Sequence, residues 1–147
     1  MIRSLMSDVT EIRKIAGIEA KRVVLYTSPE WKRDVMRRAA SIMESGEQLT
    51  IPGLTKVCMS DDAIKRNGKS ASELAKKVAL DFSRAPAGTY APLYETDELS
   101  LLESARGFLA EEIGLEVDVY SADAEGVYDP QNKARQAAPG RPAILLE

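Results

Sequence analysis

Apolar positions recur every three or four residues through most of this chain and run together mainly at two short stretches, Val23-Val24-Leu25-Tyr26 and Ala143-Ile144-Leu145-Leu146. The best-defined unit spans residues 21–44, KRVVLYTSPEWKRDVMRRAASIME. Its opening run is β-branched and aromatic, which predicts a strand over about 22–26 covered on both faces. Ser28 then stands where an N-cap belongs, Pro29 at the first helical position and Glu30 in the first turn, predicting a helix over about 29–44. Trp31, Val35, Ala39 and Ile42 share its inner face, and Lys32, Arg33, Arg37 and Arg38 lie opposite.

The same reading extends to the rest. Leu5, Val9, Ile12 and Ala16 make one face of an opening helix that Gly17 is placed to end. Residues 47–53 are a loop around Pro52-Gly53, followed by a short helix carrying Leu54, Val57 and Cys58 and another turn from Asp61 to Arg66. Ser70 and Glu73 have the spacing of a capping box for a helix with Leu74, Val78 and Phe82 inside and Lys69, Lys76, Lys77 and Arg84 outside or at its ends. Residues 85–92 hold two prolines and a glycine and are expected to form a loop. Thr96 is expected to cap a helix with Leu102, Ala105, Leu109 and Ile113 inward, closed by Gly114. Glu116 to Tyr120 alternates polar and apolar residues, the pattern of a half-buried strand. Asp129-Pro130 opens a short helix expected to run to about Ala137, and the apolar run at the end is the last strand. Strands separated by helices imply crossovers, so the expected fold is α/β, a small three-stranded, mostly parallel sheet flanked by several helices.

Composition narrows what such a fold can do. Of 147 residues, 44% are hydrophobic and 29% charged, as in ordinary globular domains, and no apolar run approaches the roughly 20 residues that span a bilayer. The single cysteine, Cys58, rules out an internal disulfide and fits a reducing, cytoplasmic setting. Histidine is absent, which removes the commonest general base, the usual Ser/His and Cys/His pairs and imidazole metal ligands. The net charge of −3 conceals an asymmetry: residues 1–90 carry 16 Lys and Arg against 11 Asp and Glu, and residues 91–147 carry 4 against 12. The first part suits a polyanion; most of the second repels one.

Candidate chemistry is correspondingly sparse. The turn Thr27-Ser28-Pro29-Glu30 lacks the glycine-rich loop of a nucleotide-binding crossover, and nothing near Ser28 could act as its base. The acidic pairs Asp61-Asp62, Asp97-Glu98 and Glu111-Glu112 point in different directions on a helix and read as first-turn dipole partners and solvated faces. Lys32, Arg33, Arg37 and Arg38, with Lys65, Arg66, Lys69, Lys76 and Lys77, are candidates for holding phosphates; the alternative is a solvated face balanced by Glu30 and Asp34. The apolar tail at residues 143–146 either completes the sheet or reaches a partner, Leu146 and Glu147 being open to both.

Two blocks, VVLYTSPEWKRDVM and VYDPQNKARQAAPGRPAILLE, in this order around a helix-rich middle, resemble the C-terminal domain of leucyl-tRNA synthetases of the archaeal and eukaryotic type. The resemblance runs from about residue 20 to the end. It implies that residues 1–18 are a linker helix from a preceding anticodon-binding domain and that 19–147 form a C-terminal tRNA-binding α/β domain. It implies no catalysis within this stretch and no cofactor; ATP and magnesium would serve the parent ligase's catalytic domain. The partners implied are tRNA-Leu, through its long variable arm, and the remaining domains of the synthetase, with no DNA and no membrane. The residues matching the family's RNA-contacting end are Pro142, Ala143, Ile144, Leu145, Leu146 and Glu147. Arg141, Lys133, Arg135, Arg37 and Arg38 are the accompanying cations. The last four residues include no aromatic or basic side chain, leaving contacts there to backbone groups and apolar surface. The competing reading is a stand-alone α/β protein-interaction module that binds no RNA.

Overall fold

The computed structural model of the chain describes residues 2–16, 20–86 and 88–147. Their order is α1 (Ile2–Ala16), β1 (Arg22–Thr27), α2 (Glu30–Glu44), α3 (Ile51–Met59), α4 (Asp62–Lys65), α5 (Gly68–Ser83), α6 (Ala91–Glu95), α7 (Glu98–Ile113), β2 (Glu116–Ser121), a 3-10 turn at Ala134–Gln136, and β3 (Ala143–Leu146). The chain divides into two compact units, one of Met1–Pro29 with Asp97–Glu147 and one of Glu30–Thr96.

The first unit holds the sheet, in order β2-β1-β3. β1 is central, and Val23, Val24, Leu25, Tyr26 and Thr27 are all buried, as its unbroken apolar run requires. The three-stranded α/β architecture is as expected; the sheet is mixed, with β2 parallel to β1 and β3 antiparallel to it. The reason lies in the connections. β1 and β2 are joined by a long crossover that returns the chain to the start of β1. β2 and β3 are joined by turns and a single 3-10 turn, so β3 starts at the end where β2 stopped and runs back. One sheet face meets Leu5 and Val9 of α1 with Leu102 and Leu109 of α7; the other collects Val24, Tyr26, Leu145, Ala134, Ala137 and Ala143. α7 stops at Gly114, whose φ of 76° is left-handed and whose N–H donates to the Ala110 carbonyl.

The second unit is helical, with Val35, Ala39, Leu54, Cys58, Ile64, Val78 and Phe82 at its centre. Several local expectations shift here and in the first unit. α5 begins at Gly68 with no side-chain cap, so Ser70 and Glu73 lie within the helix rather than forming a capping box. Burial of Ala71, Ala75 and Ala79 widens its inner face beyond Val78 and Phe82, while Leu74 is only half-buried. The loop expected over 85–92 ends early in α6, with Pro92 in its first turn. Asp97, not Thr96, caps α7, accepting from the Ser100 N–H at 3.2 Å; the Thr96 hydroxyl donates to the Pro92 carbonyl. The helix expected over 129–137 shrinks to the turn Ala134–Gln136, because the Asp129 carboxylate accepts from the N–H groups of Lys133 and Ala134, four and five residues on. On α1, Leu5 and Val9 are buried and Ile12 is exposed; the Ala16 side chain and the stop expected at Gly17 lie outside the described residues.

Candidate nucleic-acid interface

The last five residues are built into the sheet, and Pro142, just before them, is buried outside it. Ala143, Ile144, Leu145 and Leu146 pair with Tyr26, Leu25, Val24 and Val23. Glu147 exchanges backbone hydrogen bonds with Arg22, both at 2.9 Å. This makes Glu147, Leu145 and Ala143 the hydrogen-bonded positions, so the N–H and C=O groups of Ile144 and Leu146 face the free edge of β3. Side chains alternate likewise: Ala143 and Leu145 are buried, and Ile144 and Leu146 half-buried against the opposite sheet face.

A polar cluster holds the end of this strand. The Glu147 carboxylate accepts from Arg22 at 2.5 Å and from the Tyr128 hydroxyl. Arg22 also reaches Asp118 at 3.4 Å and lies 5.0 Å over the Tyr128 ring. The Tyr26 hydroxyl donates to the Tyr128 carbonyl. The Tyr128 hydroxyl, then Arg22, hold the Glu147 carboxyl below its ordinary range; burial pushes the Tyr26 phenol up to about 12. At the other end of β3, Ala138 and Arg141 exchange backbone bonds, and the buried Glu98 carboxylate accepts from the Gly140 N–H. Glu98 lies in the first turn of α7 but is buried rather than part of a solvated helix face. No local signal links Arg22 or Tyr128 to residue 147; only the pairing of β3 with β1 brings them together.

The predicted cations fall into both units. Arg141 and Arg135 are exposed and Lys133 half-buried, around the chain that leads into β3. A cleft of about 360 Å³ lined by Ser4, Leu5, Asp8, Gly140, Arg141 and Pro142 opens at the start of that strand. Arg37 and Arg38 belong to the helical unit and are engaged there. Arg37 bonds Glu30 at 2.5 Å, Asp34 at 2.7 Å and the Tyr94 carbonyl at 3.0 Å; Arg38 bonds Asp61 at 3.0 Å. Asp61, which also caps α4, is held below its usual range first by Arg38. Lys32 sits 5.7 Å over the Trp31 ring, and burial lowers its pKa. Among the described residues no group of three or more Asp, Glu, Cys or His is placed to hold a metal, and no helix is long and apolar enough to cross a membrane.

No family model matches the chain. Individual proteins do. The chain is 39% identical over 150 residues to the leucine–tRNA ligase of Methanococcoides burtonii, 35% over 148 residues to that of Methanosarcina acetivorans, and 36% over 149 residues to that of Methanosarcina barkeri. These alignments take in 99–100% of this chain and 15% of each ligase, so the chain spans about one-seventh of the length of the curated relatives it matches. By this similarity the chain belongs with the archaeal-type leucine–tRNA ligases, as the match of a C-terminal segment of those enzymes.

Proposed function

We propose that this chain is a non-catalytic C-terminal domain of a leucyl-tRNA synthetase that helps select tRNA-Leu through its long variable arm. The observation that carries the reading is similarity over the whole length of the chain to a C-terminal segment of leucine–tRNA ligases. The site supports it. The free edge of β3 offers the backbone groups of Ile144 and Leu146 to unstacked bases, and the cleft beside Arg141 has room for one of them. Arg141, Lys133 and Arg135 supply positive charge around a strand whose unit carries 9 Lys and Arg against 14 Asp and Glu. Arg37 and Arg38 add charge to the other unit while remaining tied to carboxylates. In this reading residues 1–18 lead from a preceding anticodon-binding domain, the partners are tRNA-Leu and the rest of the synthetase, and ATP and magnesium act elsewhere in the parent enzyme, in the cytoplasm.

The test is binding of the 147-residue chain to tRNA-Leu transcripts with intact and shortened variable arms. The expected result is tighter binding of the intact arm, and loss of that preference in R141A/K133A. Equal affinity for both transcripts, or no binding to either, would refute the reading for this domain and favour a module that contacts protein only. Truncating residues 144–147 is the poorer test, because Leu145 belongs to the core.

A further inference from the structure

Two sets of cations in the helical unit differ in what holds them. The arginines of α2 are matched: Arg33 meets Glu30 at 3.2 Å, Arg37 meets Glu30 and Asp34, and Arg38 meets Asp61. A second set, Lys65, Arg66, Lys69, Lys76, Lys77 and Arg84, follows the end of α4 and the outer side of α5, and all six are exposed. Lys69 has a carboxylate within 4 Å, Glu73 at 3.8 Å; among the described residues the other five have no ion pair. The arrangement follows from the packing of α5. Ala71, Ala75, Val78, Ala79 and Phe82 take its inner face, so every lysine is turned outward. Lys69 and Lys76 are seven residues apart, as are Lys77 and Arg84. Seven residues are nearly two full turns, so each pair lies on one side of the helix about 10.5 Å apart along its axis. The result is two parallel rows of cations with one exposed carboxylate, Glu73, between them.

We infer that this outer face of α5 is a second RNA-binding surface, which grips the phosphates of a double-helical RNA stem. The inference rests on the RNA-binding reading above and adds a surface that reading does not contain. Charge complementarity commits the face to a polyanion. The deep, narrow major groove of A-form RNA admits no helix, so α5 would lie across the backbone, and unpaired lysines meet phosphates without first breaking a protein ion pair. The matched arginines of α2 would have to give up carboxylates to do the same.

The experiment is a titration of the full chain with a tRNA-Leu transcript at several KCl concentrations, comparing wild type, K76A/K77A and the charge-matched K14A/R106A, with thermal melts to confirm folding. Lys76 and Lys77 are exposed, so the melts are expected to coincide. If the face contacts RNA, K76A/K77A binds about tenfold more weakly near 100 mM KCl, and the slope of log K against log salt becomes shallower by about 1.5, whereas K14A/R106A changes neither. A wild-type chain that binds with K76A/K77A unchanged in affinity and slope would overturn this inference and leave the variable-arm reading standing. Failure of the wild type to bind at all would overturn both.

Discussion

Replacing Leu145 by alanine tests whether the C-terminal strand is core or arm. Leu145 is 2% exposed, pairs with Val24, and packs with Val24, Tyr26, Ala134, Ala137 and Ala143. Buried leucine-to-alanine changes cost 2–5 kcal/mol, the spread reflecting how far the site can collapse. Here the neighbours include three alanines and the strand has a partner on one side only, so the surroundings can relax and the lower half of that range applies, about 2–3 kcal/mol. Ile144, half-buried on the other face, should cost about 1 kcal/mol when cut to alanine, in proportion to its smaller loss of buried surface. Urea denaturation followed by far-UV circular dichroism reads both, with amide exchange at Val24 reporting the β1–β3 pairing directly. The slope of stability against urea should stay as in the wild type, since the same surface is exposed on unfolding. An L145A variant within about 0.5 kcal/mol of wild type, or a Val24 amide exchanging as fast as a loop amide in the wild type, would show that the tail is not part of the sheet.

Two further expectations follow from titratable groups. Glu147 has a carboxyl lowered in the fold by Tyr128 and Arg22, so its contribution is complete above its ordinary pKa of 4.5 and is lost as pH falls below that value; E147Q should therefore flatten the acid limb of a stability–pH curve while changing little on the alkaline side. Burial raises the Cys58 thiol to about 11, so the native protein should resist a disulfide reagent at pH 8 and react only when denatured; rapid native reaction would show an open helical unit.

Much of this was legible in local pattern. The run Val23-Val24-Leu25-Tyr26 suits a strand covered on both faces, because it is short and β-branched and aromatic, and successive side chains of a strand point alternately to each face. The spacing of Leu102, Leu109 and Gly114 marks α7 and its end, since helix period and a left-handed stop are properties of a few neighbouring residues. The blocks around Tyr26 and Asp129 carried the family resemblance, which the ligase relatives bear out. Tertiary structure alone decided that β3 runs antiparallel, because strand direction depends on where a connection emerges and not on the composition of the strand. It decided that Glu147 meets Arg22 and Tyr128, and that Glu98 is buried beneath Gly140, because both contacts join residues far apart in sequence. It also separated the arginines of α2, which carboxylates already hold, from Lys76 and Lys77 of α5, which have no ion pair among the described residues. Charge is visible in any sequence, but its neutralisation depends on which carboxylate folding brings within 4 Å.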